Sequence, residues 1–478
     1  MNPYTFKAMK YYLLTIGCQM NVSDSERLAS KLEVLHFSRT ANEHEADLIG
    51  VVACAVRQKA MDRIYGKISA WNKEKKRRPL TTFLTGCVLD YDRRRLATEF
   101  DHFFEMKDVP NLAAILGRTA DIKEALPDNS YLSINPFHTH QYKAYVPIMN
   151  GCNSFCTYCA VPFTRGREVS RSPREIIAEV AHLLENGYKE ILLIGQIVNK
   201  YFVPADDAFD AYIAGLRKKY DIPDLPEFAA PLFREKRIVN FGMLVALLNA
   251  LPFDYRLRYT SPHPKWFTDE LIETIARCKK IPPHLHIPVQ SGDNAVLRKM
   301  LRPYTVEQYS ETVEKMRRAI PGLAVTTDVI VGFCGETMEQ FENTKKLFRD
   351  IRYDMAYINQ YSPRPGAKSA EWDDDVPHVE KERRETELND ILRQTSLANN
   401  NRLVGQTVKV LVDDYDGKIT ENSGKTDTFK TIKFSGPDLT GQFALVEITE
   451  AGSWGLKGSL KIKKGLPGKT GRPKVRLK

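Results

Sequence analysis

The sequence predicts an α/β protein in three parts: an N-terminal doubly wound parallel-sheet domain, a central α/β barrel, full or partial, and a C-terminal small β-barrel. Three observations predict this organisation. Apolar runs of strand length alternate with helical stretches over residues 9–126 and again from residue 143 to about 365, and such alternation is typical of parallel sheets. After a long polar helix near residue 385, short alternating strands are separated by turns, as in small barrels. The chain, at 478 residues, is long enough for several domains.

In the N-terminal part, three apolar runs each lead into a cysteine. They are YYLLTIG before Cys18, DLIGVVA before Cys54 and TTFLTG before Cys87. Helical stretches lie between them, and we expect the first helix to begin at Ser23 or Asp24 as its N-cap. Because the carboxyl ends of parallel strands share one edge of a sheet, the three cysteines could meet there and hold a metal cluster. The alternative is three unrelated core cysteines, since free cysteine is often simply buried.

A second set of cysteines is local. Cys152, Cys156 and Cys159 form the C-x3-C-x2-C loop GCNSFCTYC after the apolar run AYVPIMN. Converging thiolates suit soft metals, iron–sulfur clusters among them, and three local thiolates leave open the position that a catalytic metal needs. Zinc is the alternative, and it would need a fourth ligand to close its tetrahedron. His138 and His140 are the nearest candidates for that ligand.

The central region has six strand-like runs with helical stretches between them. The runs are AYVPIMN, EILLIGQ, YRLRYTS, HLHIPVQ, AVTTDVIVGF and DMAYINQYS. An α/β barrel places its chemistry at the carboxyl ends of its strands. The polar residues expected at that edge are Gln196, Ser261, His263, Gln290, Ser291, Asp328, Glu336 and Ser362. Residues 203–236 interrupt the pattern with a Pro-rich segment of mixed charge, which we interpret as an insertion and a candidate surface lid.

The charge distribution indicates a polyanionic partner. The net charge is +10, no acidic residue follows Glu450, and residues 457–478 hold nine Lys or Arg. Nucleic acid is the natural partner of such a surface, although a solvated basic tail without a partner is the alternative. The predicted C-terminal strands are QTVKVLVDDY, TFKTIKFSG, QFALVEITE and LKGSLKIKKG. The basic face and stacking surfaces expected on this barrel comprise Lys425, Lys430, Lys433, Lys457, Lys461, Lys463, Lys464, Phe429 and Trp454.

Targeting signals are not evident. The sequence has no apolar run of about 20 residues, the length that spans a bilayer, and its first residues lack the pattern of a secretory signal. We therefore expect no membrane association and a cytoplasmic location. In a reducing compartment the eight cysteines are expected to bind metal or to catalyse rather than to form disulfides.

The run GCNSFCTYCAVPFTRGREVSR resembles the radical S-adenosylmethionine (SAM) core of the methylthiotransferase family, and most of all its branch that modifies tRNA adenosine beside the anticodon. Further matches follow in the same order: LLIGQIVNKY, TSPHPKWF, PVQSGDNAVLRKMLRPYT, TTDVIVGFCGET and YSPRPGAKSA. The segment of Cys18, Cys54 and Cys87 resembles the family's auxiliary-cluster domain, and GKTDTFKTIKFSG resembles its RNA-binding TRAM barrel. The departures from the family pattern are modest; they are Ile197 for Asn, Cys334 for Pro, and Val52-Ala53 for Asn-Thr.

The resemblance implies the domain limits. They are 9–126 for the auxiliary-cluster domain, 138–385 for the radical-SAM core with its insertion at 203–236, 402–464 for the TRAM barrel and 465–478 for a basic tail. It also implies two 4Fe-4S clusters, one on Cys152, Cys156 and Cys159 that cleaves SAM, and one on Cys18, Cys54 and Cys87 that delivers sulfur. The residues that it implies as SAM contacts are Gly332 and Glu336, with Gln196 and Asp328 as weaker candidates.

The implied reaction inserts a methylthio group at C2 of N6-isopentenyladenosine in the anticodon stem-loop of tRNA. A reductant such as flavodoxin or ferredoxin would supply electrons, and we expect a monomer. Two other substrates stay open within the family: a threonylcarbamoyl-adenosine tRNA and an aspartate of a ribosomal protein. A zinc-stabilised RNA-binding protein without catalysis is the alternative from another class.

Overall fold

The computed structural model describes residues 9–54, 58–118, 131–222 and 231–461. The chain forms two compact units, Met1–Thr395 and Ser396–Lys478. The N-terminal sheet and the barrel share the first unit, and the limits predicted for the individual domains stay predictions. No helix among the described residues has the length and apolar character that crossing a membrane requires. The predicted basic tail lies outside the described residues.

The N-terminal part is a five-stranded parallel sheet in the order β2-β1-β3-β4-β5. Its elements are β1 (Lys10–Ile16), α1 (Gln19–Val34), β2 (Ser38–Arg39), β3 (Leu48–Cys54), α2 (Gln58–Lys75), β4 (Thr81–Cys87), α3 (Asp90–Leu96), β5 (His102–Phe103) and α4 (Leu112–Ile115). Alternate residues of β3 point to opposite faces, so Leu48 and Val52 pack with α1 while Ile49 and Val51 pack with α2. The predicted doubly wound parallel sheet is confirmed.

Helix α1 begins earlier than expected. Its N-cap is Cys18 rather than Ser23 or Asp24, so the predicted N-cap is wrong. The physical reason is that strand β1 passes directly into the helix, and the side chains of Ser23 and Asp24 are buried against other elements instead of capping. Asn21 supplies the local cap, because its Oδ1 accepts the backbone N–H of Cys18 at 3.2 Å.

The central part contains all six predicted strands and is a partial barrel of two three-stranded parallel sheets, β12-β9-β6 and β13-β14-β15. Its strands are β6 (Lys143–Pro147), β7 (Met149–Asn150), β8 (Val169–Ser170), β9 (Glu190–Ile194), β10 (Phe202–Pro204), β11 (Ile238–Asn240), β12 (Arg256–Tyr259), β13 (His284–His286), β14 (Ala324–Val331) and β15 (Met355–Gln360). Its helices are α5 (Val161–Arg165), α6 (Pro173–Glu185), α7 (Asp207–Tyr220), α8 (Pro231–Lys236), α9 (Phe241–Ala250), α10 (Asp269–Arg277), α11 (Asn294–Lys299), α12 (Val306–Ala319) and α13 (Met338–Ile351).

The segment 203–236 is more regular than the sequence suggested. It contributes β10, which pairs with β11, and helix α7. Phe209 and Leu216 of α7 are buried in the apolar core of the barrel, so α7 belongs to the outer helical layer and the expectation of a surface lid is wrong for it. Residues 223–230 lie outside the described residues.

The second unit contains a closed barrel in the order β16-β17-β18-β20-β19. Helix α14 (His378–Asn401) precedes the strands β16 (Thr407–Asp416), β17 (Glu421–Thr426), β18 (Thr431–Ser435), β19 (Phe443–Ala451) and β20 (Leu456–Leu460). The predicted small β-barrel is confirmed, with one strand more than expected. Strand β17 (ENSGKT) was missed because the residues that it turns inward are Asn422, Gly424 and Thr426, which are polar or small and give no apolar alternation.

The predicted basic face of this barrel is partly neutralised. Lys433, Lys457 and Lys461 each form an ion pair with a glutamate of the same barrel. The aromatic side chains Phe429 and Trp454 are 38% and 48% exposed, so they are available for stacking. Lys463 and Lys464 lie outside the described residues.

Candidate active site

Cys18, Cys54 and Cys87 lie together at the carboxyl edge of the N-terminal sheet. Cys54 and Cys87 are the last residues of β3 and β4 and occupy paired positions in the two strands. Cys18 follows the end of β1, which pairs with β3 as far as Ala53. Register therefore does what the spacing predicted: it brings three distant cysteines to one edge.

A single asparagine connects this set. Asn21 is fully buried, its Oδ1 lies 3.5 Å from the Cys18 Sγ, and its Nδ2 donates to the carbonyl of Ala53 at 3.0 Å and lies 4.0 Å from the Cys87 Sγ. Gly17 leaves no room for a side chain, because a Cβ there would lie 2.8 Å from the Cβ of Cys54. The backbone before Cys18 is therefore drawn tightly against β3.

Arg165 joins the sheet edge to the barrel. It is the last residue of α5, which follows the C-x3-C-x2-C loop, and its Nε donates to the Cys87 Sγ at 3.0 Å. Its Nη2 forms a 2.6 Å ion pair with Asp24 of α1. The Arg165 and Asp24 side chains are 4% and 1% exposed, so the pair is shielded from water. Burial raises the pKa of the Cys87 thiol, and Arg165 opposes that shift because its charge favours the thiolate.

Cys152, Cys156 and Cys159 occupy the loop after β7. The loop closes on itself, with the Cys159 N–H donating to the Cys156 carbonyl at 2.9 Å. Burial raises the pKa of Cys159 to about 12, a shift to which the neighbouring Cys156 and Cys152 contribute. Arg302 lies against this loop, since its Nη1 is 3.5 Å from the Cys156 Sγ. The thiols are thus close together, shielded and next to a fixed positive charge.

Three side chains at the barrel's carboxyl edge keep a buried polar atom without a hydrogen-bond partner among the described residues: Gln196 Oε1, His263 Nε2 and Glu336 Oε1. They follow strands β9, β12 and β14 respectively. Buried polar atoms are normally satisfied, and a ligand bound at this edge would supply partners for these three. A small polar molecule such as SAM has suitable donor and acceptor groups.

His263 is the best-defined of the three. Burial lowers its pKa to about 3, helped by the nearby charges of Arg302, Lys265 and Lys200, so the imidazole is neutral near pH 7. Its Nδ1 accepts the backbone N–H of Lys265 at 3.2 Å. In a neutral imidazole the proton then sits on Nε2, which is therefore an unused hydrogen-bond donor. The ring packs against Tyr304, which itself bonds Arg302.

The other predicted SAM contacts lie on β14 and in the loop after it. Asp328 lies within the strand, with its Oδ2 3.3 Å from His286 Nε2. Gly332 has a φ of +67°, and its N–H donates to Glu336 Oε2 at 2.6 Å. Arg384 of α14 binds the same carboxylate at 2.8 Å. Burial raises the pKa of Glu336, and these two contacts oppose the shift.

The two histidines that the sequence suggested as a fourth zinc ligand contact other residues. The Nδ1 of His138 lies 3.4 Å from Glu26 Oε2 of α1, and His140 packs against Tyr142 and Tyr145. Across the described residues, no three His, Cys, Asp or Glu side chains converge on a point that one metal ion could occupy. A cluster differs from a single ion because each thiolate binds a different iron, so its ligands need not converge on one point.

Comparisons with known proteins follow the same three-part organisation. The Radical SAM superfamily matches residues 146–348, the Uncharacterized protein family UPF0004 matches residues 10–105, and the TRAM domain matches residues 401–461. The first two matches contain the local and the scattered cysteine set respectively.

Relatives of this chain align with it over most of its length. A "tRNA-2-methylthio-N(6)-dimethylallyladenosine synthase" of Bacillus cytotoxicus is 36% identical over 95% of this chain and 86% of its own length. The chain belongs to this synthase family. Proteins of the same name from Carboxydothermus hydrogenoformans and Dictyoglomus thermophilum are 37% and 34% identical, cover 94% of this chain and align over 99% and 98% of their own lengths.

Among solved structures, the radical SAM methyltransferase TsrM of Kitasatospora setae, with tryptophan substrate and a SAM analogue bound, is similar with a TM-score of 0.47. It is 13% identical and covers 74% of this chain and 73% of its own. The cobalamin-dependent SAM radical enzyme OxsB has the same TM-score and is 11% identical, covering 81% of this chain and 56% of its own.

Sequence reasoning missed four residues that lie against the two cysteine sets: Asn21, Asp24, Arg165 and Arg302. Each contacts a cysteine, or a partner of one, through a side chain from a distant part of the chain. Arg165 stands six residues after Cys159, within the short sequence TRG. Of the four residues it is the one whose neighbouring sequence suggests a functional position. Nothing in the local sequence indicates that its partner would be Cys87.

Proposed function

We propose that this protein is a radical-SAM tRNA methylthiotransferase that inserts a methylthio group at C2 of N6-isopentenyladenosine next to the anticodon. One observation carries the proposal: Arg165, six residues after the local cysteine set, bonds Cys87 of the scattered set at 3.0 Å. This contact joins the helix that follows the local set to the sheet edge that carries the scattered set, which supports a reaction that needs both clusters. The names of the three relatives described above favour this substrate over a threonylcarbamoyl-adenosine or a ribosomal protein.

The residues present suit two 4Fe-4S clusters. Cys152, Cys156 and Cys159 would hold one cluster and leave one iron without a protein ligand, where SAM would bind. The scattered cysteines would hold the second. When bound, the clusters and SAM supply the electron transfer, SAM cleavage and sulfur chemistry.

This chain's own residues orient and shield that chemistry. Arg302 places a positive charge beside Cys156. Arg165 does the same for Cys87. His263 Nε2 and Gln196 Oε1 offer one donor and one acceptor to a ligand at the barrel edge. We retain Gly332, Glu336, Gln196 and Asp328 as the proposed SAM contacts.

The partners follow from this function. tRNA is the substrate, and its target adenosine must leave the stacked loop to reach the rim, as bases modified by enzymes do. The TRAM barrel would add RNA affinity through the exposed aromatic rings of Phe429 and Trp454. A flavodoxin or ferredoxin as reductant, a monomeric state and a cytoplasmic location complete the proposal.

The decisive experiment is mass spectrometry of tRNA nucleosides from cells with and without the gene. We expect the methylthio form of isopentenyladenosine to disappear on deletion and to return with the intact gene but not with a Cys156→Ala copy. An unchanged nucleoside profile on deletion would rule out the proposed substrate.

Metal analysis tests the cofactors separately. Anaerobically purified protein should be brown and hold roughly eight irons per chain if both clusters are 4Fe-4S. A colourless protein that contains zinc and resists reconstitution with iron and sulfide would instead support the non-catalytic RNA-binding alternative.

A further inference from the structure

An exposed tryptophan lies at the carboxyl edge of the sheet β12-β9-β6. Trp266 ends a short 3-10 helix (Pro264–Trp266) in the loop after β12 and is 38% exposed. Two ammonium nitrogens, those of Lys200 in the loop after β9 and of Lys265, each lie 5.6 Å from the centre of its ring. The edge of the barrel thus presents a flat aromatic ring with two positive charges beside it.

Hydrogen bonds hold the two loops together at this point. Asn199, which is buried, accepts the backbone N–H of His263 at 2.8 Å and donates to the His263 carbonyl at 3.0 Å. The Nδ1 of His263 accepts the backbone N–H of Lys265. Lys200, the residue after Asn199, forms a 2.9 Å ion pair with Glu168. The tryptophan and its two cations therefore lie on a fixed part of the edge.

This surface adjoins the local cysteine loop and the candidate ligand site. The backbone N–H of Glu168 donates to Oδ1 of Asn153, the residue after Cys152, at 3.2 Å. His263, whose Nε2 is an unused donor, stands three residues before Trp266, and three residues span at most about 11 Å. Stacked nucleotides of one strand are about 3.4 Å apart. A strand whose target base lies at the barrel edge would therefore reach Trp266 within a few nucleotides.

Further cations and aromatic rings lie beside the same loop. Arg167 is exposed, and neither it nor Lys265 pairs with a carboxylate in the part of the chain that the structure describes. Phe155 and Phe163 are 53% and 57% exposed, and their ring centres are 6.2 Å apart. Phe155 has a φ of +47°, a conformation that is costly for a residue with a side chain and that often marks a functional position. Exposed aromatic rings among cations are typical of surfaces that bind single-stranded nucleic acid.

We propose that Trp266 stacks on a base of tRNA next to the modified adenosine, while Lys200 and Lys265 contact the adjoining phosphates. This inference rests on the proposed function and deepens it, because it assigns to the barrel edge a surface that positions the substrate. An acidic protein such as a reductant is the competing partner. RNA is favoured because Trp266 stands beside His263, at the edge where the target base must enter.

The test uses the full-length holoenzyme and an anticodon stem-loop with 2-aminopurine in place of the base on one side or the other of the target adenosine. Stacking quenches the fluorescence of 2-aminopurine, so we expect the wild type to quench it at one of the two positions. The complex with Trp266→Ala should be brighter, and its dissociation constant should be about 5- to 150-fold higher, the usual effect of losing one base–aromatic stack. Trp266→Phe keeps a ring and should retain most of the quenching and affinity.

Matched controls change similar residues at the opposite edge of the barrel. Phe137 is 44% exposed and precedes β6, and Lys279 is exposed and precedes β13. Phe137→Ala should leave the quenching and the dissociation constant as in the wild type. Between 50 and 300 mM salt, Lys265→Gln should lower the salt slope of tRNA binding by about 1, whereas Lys279→Gln should leave it unchanged.

The outcomes separate this inference from its competitor and from the proposed function. Wild-type quenching and affinity in Trp266→Ala would overturn the inference, as would equal weakening by Phe137→Ala. Slower reduction by flavodoxin with intact tRNA affinity would assign the surface to the reductant instead. If only the proposed function is wrong, the wild type binds tRNA with the same dependence on Trp266 but does not methylthiolate it.

Discussion

The buried pair of Arg165 and Asp24 is the contact whose removal should separate SAM cleavage from sulfur transfer. The Nη2–Oδ2 distance is 2.6 Å and both side chains are at least 96% shielded from water. Removing one partner of a buried pair leaves an uncompensated charge, which typically costs about 3–5 kcal/mol. Asp24→Asn keeps an oxygen that can accept a hydrogen bond from Arg165. We therefore expect a loss of unfolding free energy at the lower end of this range, about 3 kcal/mol.

A double-mutant cycle measures the pair itself. Asp24→Asn, Arg165→Gln and the double variant are compared by anaerobic denaturation of the holoprotein. The double variant leaves no lone buried charge. Its loss of unfolding free energy should therefore be smaller than the sum of the losses in the two single variants, with a coupling energy of about 2 kcal/mol. Glu273→Gln is the control, since its pair with Arg277 is exposed and should contribute less than about 0.5 kcal/mol.

The functional result follows from geometry. Arg165 holds Cys87 relative to the barrel, so Asp24→Asn should spare SAM cleavage but misplace the auxiliary site. A displacement of about 1 Å can cost about a hundredfold in rate, so the ratio of 5′-deoxyadenosine to methylthiolated tRNA should rise at least about tenfold. Additive stability effects together with an unchanged product ratio would refute this reasoning.

Three further results are expected. Cys156→Ala should abolish SAM cleavage, whereas Cys54→Ala should spare cleavage and stop sulfur insertion; chromatography of both products shows this, and equal loss of cleavage contradicts the division of roles. Gly17→Ala should roughly halve the iron content, from about eight to about four, because its Cβ would overlap that of Cys54, while Gly66→Ala, with open space around it, should retain all the iron. His263→Gln should remove an acid-dependent loss of stability: with a pKa of 6.5 unfolded and about 3 folded, only the unfolded state gains a proton as the pH falls, so from pH 6.5 to 5 the wild type should lose about 2 kcal/mol that the variant keeps. Parallel pH profiles in denaturation experiments would contradict this.

The sequence predicts the positions of the cysteines well because sheet geometry leaves few alternatives. Cys54 and Cys87 end neighbouring parallel strands, so a correct strand assignment places them side by side. The six barrel strands were equally predictable, since each is an apolar run between helical stretches. The family resemblance seen in the sequence motifs agrees with the family models that match the three parts of the chain.

Prediction failed where buried residues are polar. Strand β17 hides Asn422 and Thr426, so it lacks the alternation that reveals a strand. Ser23 and Asp24 look like N-caps because short polar residues usually start helices, yet Ser23 accepts a hydrogen bond from Arg27 at 2.6 Å and Asp24 pairs with Arg165. Local patterns report the usual role of a residue type, whereas the role of Asp24 depends on a partner 141 residues away in the chain.

Helix α1 shows how this failure and the function are connected. Six of the seven residues from Asn21 to Arg27 are polar, a pattern that normally faces solvent, but all six are buried. Arg27 pairs with Glu179 of α6 at 3.1 Å, and Glu26 Oε1 accepts the backbone N–H of Thr139 at 2.8 Å. Buried ion pairs contribute little net stability, but they are costly to break and tolerate few geometries. These buried polar contacts of α1 therefore fix the sheet edge against the barrel in one orientation. Two cysteine sets that act on one substrate need such a fixed orientation.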